Sequence, residues 1–216
     1  MKVVAVIPAY NEEKTISEVI KRTKKFVDEV IIIDDGSKDK TFELAKKQGA
    51  IVLRNKKNKG VGFSRRKGLK KAVSLGADVI ITLDADLQHL PEDIPKFVEK
   101  IKEGYDFVLG ERDIKNYPLI KKFGNFWLNF LTNLICGTKM KDTESGYKGF
   151  SKKAVKKINL SADKYAIESE IIYEISKHNL SHTSIKINSP TYIKGVTVKN
   201  GIENFIYLLK RKILDL

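Results

Sequence analysis

Two aspartates separated by one residue, Asp84 and Asp86, directly follow a short apolar run of the chain. On an extended strand, side chains two residues apart lie on one face, so we expect these carboxylates to be close together. Such a pair repels unless a proton or a cation lies between the two charges. Mg²⁺ and Mn²⁺ favour carboxylate oxygens together with substrate phosphates. The pair therefore predicts a divalent-metal site, with Gln88 or His89 as a further ligand.

Two other polar clusters follow apolar runs nearer the N-terminus. Residues 8–13 are Pro-Ala-Tyr-Asn-Glu-Glu, and residues 34–37 are Asp-Asp-Gly-Ser. In open α/β sheets, ligands bind beyond the carboxyl ends of the strands. An isolated Asp-x-Asp pair most often only caps a helix or ends a strand. Three polar clusters in equivalent positions instead favour one shared ligand site.

The first half of the sequence alternates short β-branched runs with helical patterns. Near-continuous apolar strands separated by amphipathic helices predict an α/β fold, with a mostly parallel central sheet and helices on both faces. The predicted strands are Val3–Ile7, Val30–Ile33, Ile51–Leu53, Val79–Leu83 and Phe107–Leu109. The predicted helices are Glu13–Phe26, Thr41–Lys47, Val61–Ser74 and Pro91–Lys102.

The second half departs from this alternation. Apolar residues at helical spacing predict a helix from Pro118 to Ile135. The other predicted elements are strands Tyr147–Phe150 and Thr183–Ile187, a helix Glu168–Lys177 and an amphipathic C-terminal helix Ile202–Leu216. No repeat, low-complexity segment or linker divides the chain, so we expect residues 1–216 to form a single domain.

The chain of 216 residues has 41 Lys and Arg against 27 Asp and Glu, which gives a net charge of +14. Such an excess indicates an anionic partner: nucleic acid, an anionic membrane surface or a phosphorylated small molecule. A Lys- and Glu-rich surface typical of proteins from hot environments is the alternative. Nucleic acid is disfavoured, because no recognition motif is present and Asp-rich strand ends would repel phosphate without a metal.

Cys136 is the single cysteine, which allows no intrachain disulfide and fits a reducing compartment. The N-terminal apolar run is too short for a signal peptide, and no stretch approaches the ~20 apolar residues of a membrane span. We therefore expect a cytoplasmic protein.

Residues 58–68 form a basic segment that contains three glycines, Asn-Lys-Gly-Val-Gly-Phe-Ser-Arg-Arg-Lys-Gly. Glycines at a helix start can cradle a phosphate, but they also permit close packing, and the sequence leaves both possibilities open. The segment is not a Walker loop, because no Gly-Lys-Ser/Thr closes it. A dinucleotide fingerprint should follow the first strand, which this segment does not.

Six segments, in the right order along the chain, resemble family 2 glycosyltransferases of the GT-A fold, above all the polyprenyl-phosphate (dolichyl-phosphate) sugar transferases. They are residues 7–12 (Ile-Pro-Ala-Tyr-Asn-Glu), 33–39 (Ile-Asp-Asp-Gly-Ser-Lys-Asp), 58–68, 84–89 (Asp-Ala-Asp-Leu-Gln-His), 110–112 (Gly-Glu-Arg) and 142–147 (Asp-Thr-Glu-Ser-Gly-Tyr). The resemblance implies that a sugar is transferred, with inversion, from a donor such as GDP-mannose or UDP-glucose to a polyprenyl or dolichyl phosphate. It also implies a nucleotide-binding half, residues 1–112, and an acceptor-side half, residues 113–216.

The resemblance assigns roles to individual residues as well. The nucleotide-sugar-binding residues are Pro8, Tyr10, Glu12, Ile33, Asp35, Asp84, Ala85, Asp86 and Lys194. The ligands of Mg²⁺ or Mn²⁺ on the donor diphosphate are Asp84, Asp86 and Gln88, and the catalytic residues are Asp86 and Arg112. After Pro190 the family's Arg and Gly-x-Ser-Lys are missing, and we expect Lys194 and Lys199 to replace those phosphate contacts.

The acceptor decides whether a general base is needed. Transfer to a hydroxyl requires one, for which Asp142, Glu168 and Glu170 are candidates, whereas a lipid phosphate is already ionised and needs none. A soluble or polysaccharide acceptor is the main alternative. A sugar-phosphate nucleotidyltransferase is disfavoured, because the segment after the first strand is not a Gly-rich loop that bears Arg or Lys.

Two helical stripes suit a membrane surface. Residues 123–135 carry Phe, Trp, Leu and Ile after Lys121 and Lys122, and the C-terminal helix combines apolar residues with the basic run 210–212. Such stripes flanked by Lys and Arg are typical of helices on anionic lipid. The alternative is that both stripes pack on the sheet. We expect peripheral association with the cytoplasmic face of the membrane.

Overall fold

The computed structural model describes residues 1–113, 117–189 and 198–215. Seven strands in these residues form one sheet: β1 (Val3–Ala9), β2 (Glu29–Asp34), β3 (Ile51–Arg54), β4 (Val79–Thr82), β5 (Phe107–Glu111), β6 (Lys148–Ser151) and β7 (His182–Lys186). Their order is β3-β2-β1-β4-β6-β5-β7. Strand β6 is antiparallel to β4 and β5, and the other neighbouring pairs are parallel. All seven predicted strands are therefore confirmed, with bounds shifted by one or two residues.

Eight α-helices occur in the same residues: α1 (Ile16–Thr23), α2 (Thr41–Lys47), α3 (Val61–Ser74), α4 (Ile94–Lys102), α5 (Leu119–Cys136), α6 (Lys152–Lys157), α7 (Ile167–Lys177) and α8 (Val198–Leu214). The first helix is shorter than the predicted Glu13–Phe26, and a 3-10 turn, Pro91–Asp93, precedes α4. Helix α6 was not predicted. It begins where the hydroxyl of Ser151 accepts the N–H of Ala154 at 3.1 Å.

Alternate residues of the central strands point into two separate apolar layers. Val4 and Ile31 pack into the layer that contains α3 and α7, whereas Ala5 and Ile32 pack into the layer that contains α1 and α4. Every residue of β4 is buried. Strands covered on both faces need apolar residues at successive positions, which explains the near-continuous apolar runs of the sequence.

Helices α5 and α8 pack against each other and against α7, and each leaves one apolar face exposed. The exposed large side chains are Leu119, Phe123, Phe126, Trp127, Phe130 and Leu134 on α5, and Ile202, Ile206, Leu209, Ile213 and Leu214 on α8. The alternative in which these stripes are buried on the sheet is therefore wrong. No helix in the described part of the chain is long and apolar enough to cross a bilayer.

Candidate active site

Loops at the carboxyl ends of β1, β2 and β4 border a cavity of about 570 Å³, a volume typical of small-molecule sites. The predicted site residues that line it are Pro8, Tyr10, Glu12, Asp35, Asp84, Ala85, Asp86, Gln88 and Arg112. The side chain of Ile33 does not line it, because it is fully buried in the core layer under α3. Lys194 lies outside the described residues. The three polar strand ends thus share one cavity.

The Asp84–Asp86 segment lies beyond β4, which ends at Thr82. The expectation that both aspartates share one face of an extended strand is therefore wrong. The chain turns here instead, with Leu87 in the left-handed region at a φ of 64°. The two carboxylates reach the cavity from this turn.

A buried arginine orients Asp84. Arg65 on α3 is 1% exposed and donates from Nη2 to Oδ1 of Asp84 at 3.1 Å, while its Nη1 pairs with Glu168 of α7. Burial raises the pKa of Asp84, but His89 and the nearby cations outweigh burial and hold this pKa below its usual value. Asp84 is therefore an ionised carboxylate whose side chain remains 36% exposed, at the cavity.

The carboxylate of Asp86 is held by Gln88. The backbone N–H of Gln88 donates to Oδ1 at 3.1 Å, and its side-chain Nε2 donates to Oδ2 at 2.5 Å. His89, the other predicted third ligand, accepts the backbone N–H of Asp84 on Nδ1 at 3.2 Å. Burial lowers the pKa of His89, because it disfavours the charged ring. The contact with the Asp84 N–H already occupies Nδ1.

The donor set around Asp84 fits a small divalent ion that also binds phosphate. A Cβ on Gly146 would lie 2.9 Å from both carboxylate oxygens of Asp84 and from Nη2 of Arg65, so the glycine makes room for this ion pair at the cavity. The described residues contain no cluster of three or more His, Cys, Asp or Glu side chains arranged for a metal. Mg²⁺ commonly takes one or two carboxylates from a protein and its remaining oxygens from phosphate and water.

Arg112, at the end of β5, is fixed by Asp142. Its Nε and Nη2 donate to the two carboxylate oxygens, each at 2.8 Å, and its backbone N–H donates to Oδ2 at 3.1 Å. Burial raises the pKa of Asp142, but Arg112 more than offsets this effect and the pKa falls. A bidentate pair of this kind holds the planar guanidinium in one orientation at the cavity wall.

Asp35 ties the segment that follows β3 to the end of β2. One carboxylate oxygen accepts from Nδ2 of Asn55 at 2.8 Å and from the N–H of Lys59 at 3.0 Å. The other accepts from the N–H of Gly60 at 2.8 Å. A carboxylate has about four lone-pair sites, so one remains for a ligand in the cavity.

The glycines of the basic segment permit close packing. A Cβ on Gly60 would lie 2.4 Å from the carbonyl oxygen of Asp163, and a Cβ on Gly62 would lie 2.4 Å from that of Ala162. The backbone of residues 162–164 therefore occupies the space beside the start of α3. Of the two possibilities left open by the sequence, close packing accounts for these two glycines.

The family model described as Glycosyl transferase family 2 matches residues 4–159. The chain belongs to this family. An uncharacterized protein of Methanocaldococcus jannaschii is 40% identical, over 98% of this chain and 93% of its own length. The UDP-N-acetylglucosamine–dolichyl-phosphate N-acetylglucosaminyltransferase of Methanococcus voltae is 38% identical, over 96% of this chain and 94% of its own. The dolichol-phosphate mannosyltransferase of Pyrococcus furiosus is 29% identical, over 97% of this chain and 64% of its own.

The architecture has a close match among solved structures. The glucosyl-3-phosphoglycerate synthase of Mycobacterium tuberculosis, in complex with Mn²⁺, UDP and phosphoglyceric acid, gives a TM-score of 0.80 at 20% identity and covers 98% of this chain and 78% of that one. The likeness confirms the predicted GT-A fold for this family 2 glycosyltransferase.

The three carboxylates predicted as general-base candidates all hold other parts of the transferase. Asp142 binds Arg112. Glu168 pairs with Arg65 and with buried Lys148 of β6. Glu170 is fully buried and accepts hydrogen bonds from the loop before α7, at 3.0 Å from Ser161 and 2.9 Å from Ala162.

Sequence reasoning assigned no role to several residues that line this cavity. They are Asn58, Arg65, Tyr117, Asn125, Glu144, Lys164 and Tyr165. Arg65 had a detectable signal, because it lies on the same helical stripe as Gly62, Leu69 and Ala72, where a charge must find a buried partner. The sequence gives no such signal for Lys164 and Tyr165. These two residues reach the cavity only because residues 162–164 pack on α3.

Proposed function

We propose that this transferase moves a sugar from a nucleotide-diphosphate sugar to a polyprenyl or dolichyl phosphate, with a divalent metal and with inversion at the anomeric carbon. The observation that carries the proposal is the shared cavity, in which Asp84, Asp86 and Arg112 lie together beyond the polar ends of β1 and β2. In this proposal residues 1–112 bind the nucleotide, and residues 113–216 shape the acceptor side.

On the donor side, Asp84, Asp86 and Gln88 would hold Mg²⁺ or Mn²⁺ on the diphosphate. The ion would supply Lewis-acid stabilisation of the charge that grows on the departing nucleoside diphosphate. Arg65 and Gln88 keep the two carboxylates in place before substrate binds. Such preorganisation is the main way a protein stabilises developing charge.

The nucleoside would lie against Pro8, Tyr10, Glu12 and Asp35. Tyr10 is 41% exposed at the cavity, so its ring is available for stacking on a base. The sugar remains open between mannose and glucose, and the name of the Methanococcus voltae relative adds N-acetylglucosamine.

A phosphate acceptor agrees with the site in one further respect. Asp142, Glu168 and Glu170 are committed to Arg112, Arg65 and the loop before α7, so none is poised as a base. An ionised phosphate oxygen attacks without proton removal. The names of two relatives, from Methanococcus voltae and Pyrococcus furiosus, contain dolichyl or dolichol phosphate.

A lipid acceptor would reach the protein at a membrane, and the exposed stripes of α5 and α8 support binding to anionic lipid. The basic run of α8, residues 210–212, offers fewer free charges for lipid binding than its sequence suggests. Arg211 donates to Glu174 of α7 at 3.2 Å, and Lys212 donates to the carbonyl of Ile135 of α5 at 2.7 Å. Both side chains therefore hold α8 against these two helices. Lys210 is exposed beside the apolar face and remains available for lipid headgroups.

The first test is thermal unfolding with UDP, GDP or CDP, each with Mn²⁺. A nucleotide at 100 times its Kd adds about 2.7 kcal/mol to the stability, so the matching base should stand out clearly. The matching nucleotide sugars are then assayed with dolichyl phosphate, or with a soluble acceptor such as phosphoglycerate. Transfer to the soluble acceptor alone would contradict the lipid proposal and leave the donor assignment intact.

A further inference from the structure

The loop before α7 brings a lysine to the cavity. Lys164 lines the cavity and is exposed, and its stem passes over the start of α3, where a Cβ on Gly60 would lie 3.3 Å from its Cγ. The loop is fixed on α3 by the N–H of Phe63, which donates to the carbonyl of Asp163 at 3.0 Å, and by an ion pair between Arg66 and Asp163. The position of Lys164 is thus set by its neighbours in the fold.

The other cations on the cavity wall have partners within the protein. Arg65 is bound to Asp84 and Glu168, and Arg112 is bound to Asp142. The ammonium of Lys59 lies over the ring of Phe63, 4.4 Å from its centroid. The Lys164 side chain has no hydrogen bond or ion pair to any residue in the described ranges.

We infer that Lys164 binds a phosphate oxygen of a substrate. The inference rests on the proposed function, in which two phosphate-bearing substrates meet in this cavity: the donor diphosphate and the acceptor phosphate. A lysine ammonium is a point charge with three donors, which suits a phosphate approached from one side. A cation at this position could bind a phosphate oxygen of either substrate. The experiment must therefore distinguish the donor diphosphate from the acceptor phosphate.

The test compares Lys164→Met with Lys164→Arg and with the control Lys157→Met. Lys157 is an exposed lysine on α6 that does not line the cavity. Two ligands are titrated by calorimetry. The first is the nucleoside diphosphate that stabilises the wild type, with Mn²⁺. The second is farnesyl phosphate, a short polyprenyl phosphate, added to the nucleotide-bound enzyme.

The expected result for Lys164→Met is a rise of about 10- to 100-fold in one of the two dissociation constants, as for a hydrogen bond to a charged group. Weakened farnesyl phosphate binding assigns Lys164 to the acceptor, and weakened nucleotide binding assigns it to the donor. Lys164→Arg should retain most of the affinity, because it keeps the charge.

Two other outcomes overturn the inference and can be told apart. If the wild type binds both ligands and Lys164→Met matches Lys157→Met for each, only the role of Lys164 is wrong. If the wild type binds neither ligand, the proposed function fails, and the role of Lys164 fails with it.

Discussion

At the residue scale, three charged groups that face the substrate space of the cavity are each held by a partner side chain. Arg65 holds Asp84, Gln88 holds Asp86, and Asp142 holds Arg112. Substrate-facing charges that are already oriented lose little freedom when the transition state forms. The sequence motifs predicted the facing members well, because these follow strand ends. The partner Arg65 comes from a distant segment and could not be predicted from spacing alone.

Asp86→Asn should reduce transfer by on the order of 100- to 1000-fold, the size of effect seen when one preorganised electrostatic group is removed from an active site. The amide keeps the size of the side chain, so the melting temperature should change little. The control is Glu99→Gln, on the exposed side of α4. Steady-state turnover at saturating Mg²⁺ checks the prediction, and near-wild-type turnover of Asp86→Asn would show that the metal assignment is wrong.

Asp35→Ala should weaken nucleotide binding by roughly 1.5–3 kcal/mol, as for a hydrogen bond that involves a charged group. The same change removes the acceptor of the Lys59 and Gly60 N–H groups, so the melting temperature should fall as well. Calorimetry and thermal unfolding on the same samples separate the two effects. A lower melting temperature with unchanged nucleotide affinity would limit Asp35 to a structural role.

At the scale of elements, the start of α3 and the loop before α7 form one unit of the site. Their close approach depends on glycine, since the three atoms nearest to a Cβ on Gly62 all belong to the backbone of residues 162–164. Backbone cannot move aside as a flexible side chain can. The positions of Lys164 and Tyr165 therefore depend on a residue that has no functional group.

Gly62→Ala should destabilise the protein by about 1–3 kcal/mol, as overpacking in a dense region does. The added Cβ would lie 2.4 Å from the carbonyl oxygen of Ala162 and 2.7 Å from that of Lys164. Urea unfolding measures the loss. Gly124→Ala on α5 is the matched control, because its Cβ would meet nothing within 4 Å and alanine is favoured in helices. Equal stability of the two variants would contradict the packing argument.

At the scale of the whole molecule, the sequence predicts the sheet better than the acceptor side. Both faces of β1, β2 and β4 are covered, so their apolar runs are unambiguous. Helix α6 went unpredicted, because six residues with four lysines carry little apolar periodicity. The apolar stripes of α5 and α8 would have the same spacing in the sequence whether they faced a core or a lipid surface. Only the way the two helices pack in the structure shows that the stripes are exposed.

The last prediction concerns this exposed surface. Replacing Ile206, Leu209 and Ile213 by Ser should abolish co-sedimentation with anionic liposomes, because fully burying one such side chain contributes about 1.5–3 kcal/mol. The fold should survive, since these side chains are 46%, 36% and 66% exposed. Lys210→Glu should cause a smaller loss, since each cation near an anionic surface contributes about 1 kcal/mol.

Salt separates the two contributions, because the Debye length falls to roughly 3 Å at 1 M and screens the lysine but not the apolar contact. Arg211→Glu is unsuitable as a charge variant, since Arg211 is paired with Glu174 and anchors α8 to the body. Wild-type protein that remains in the supernatant at every anionic fraction and salt concentration would show that the surface does not bind lipid. The exposed stripes would then need another partner, and a soluble or polysaccharide acceptor would become the better hypothesis.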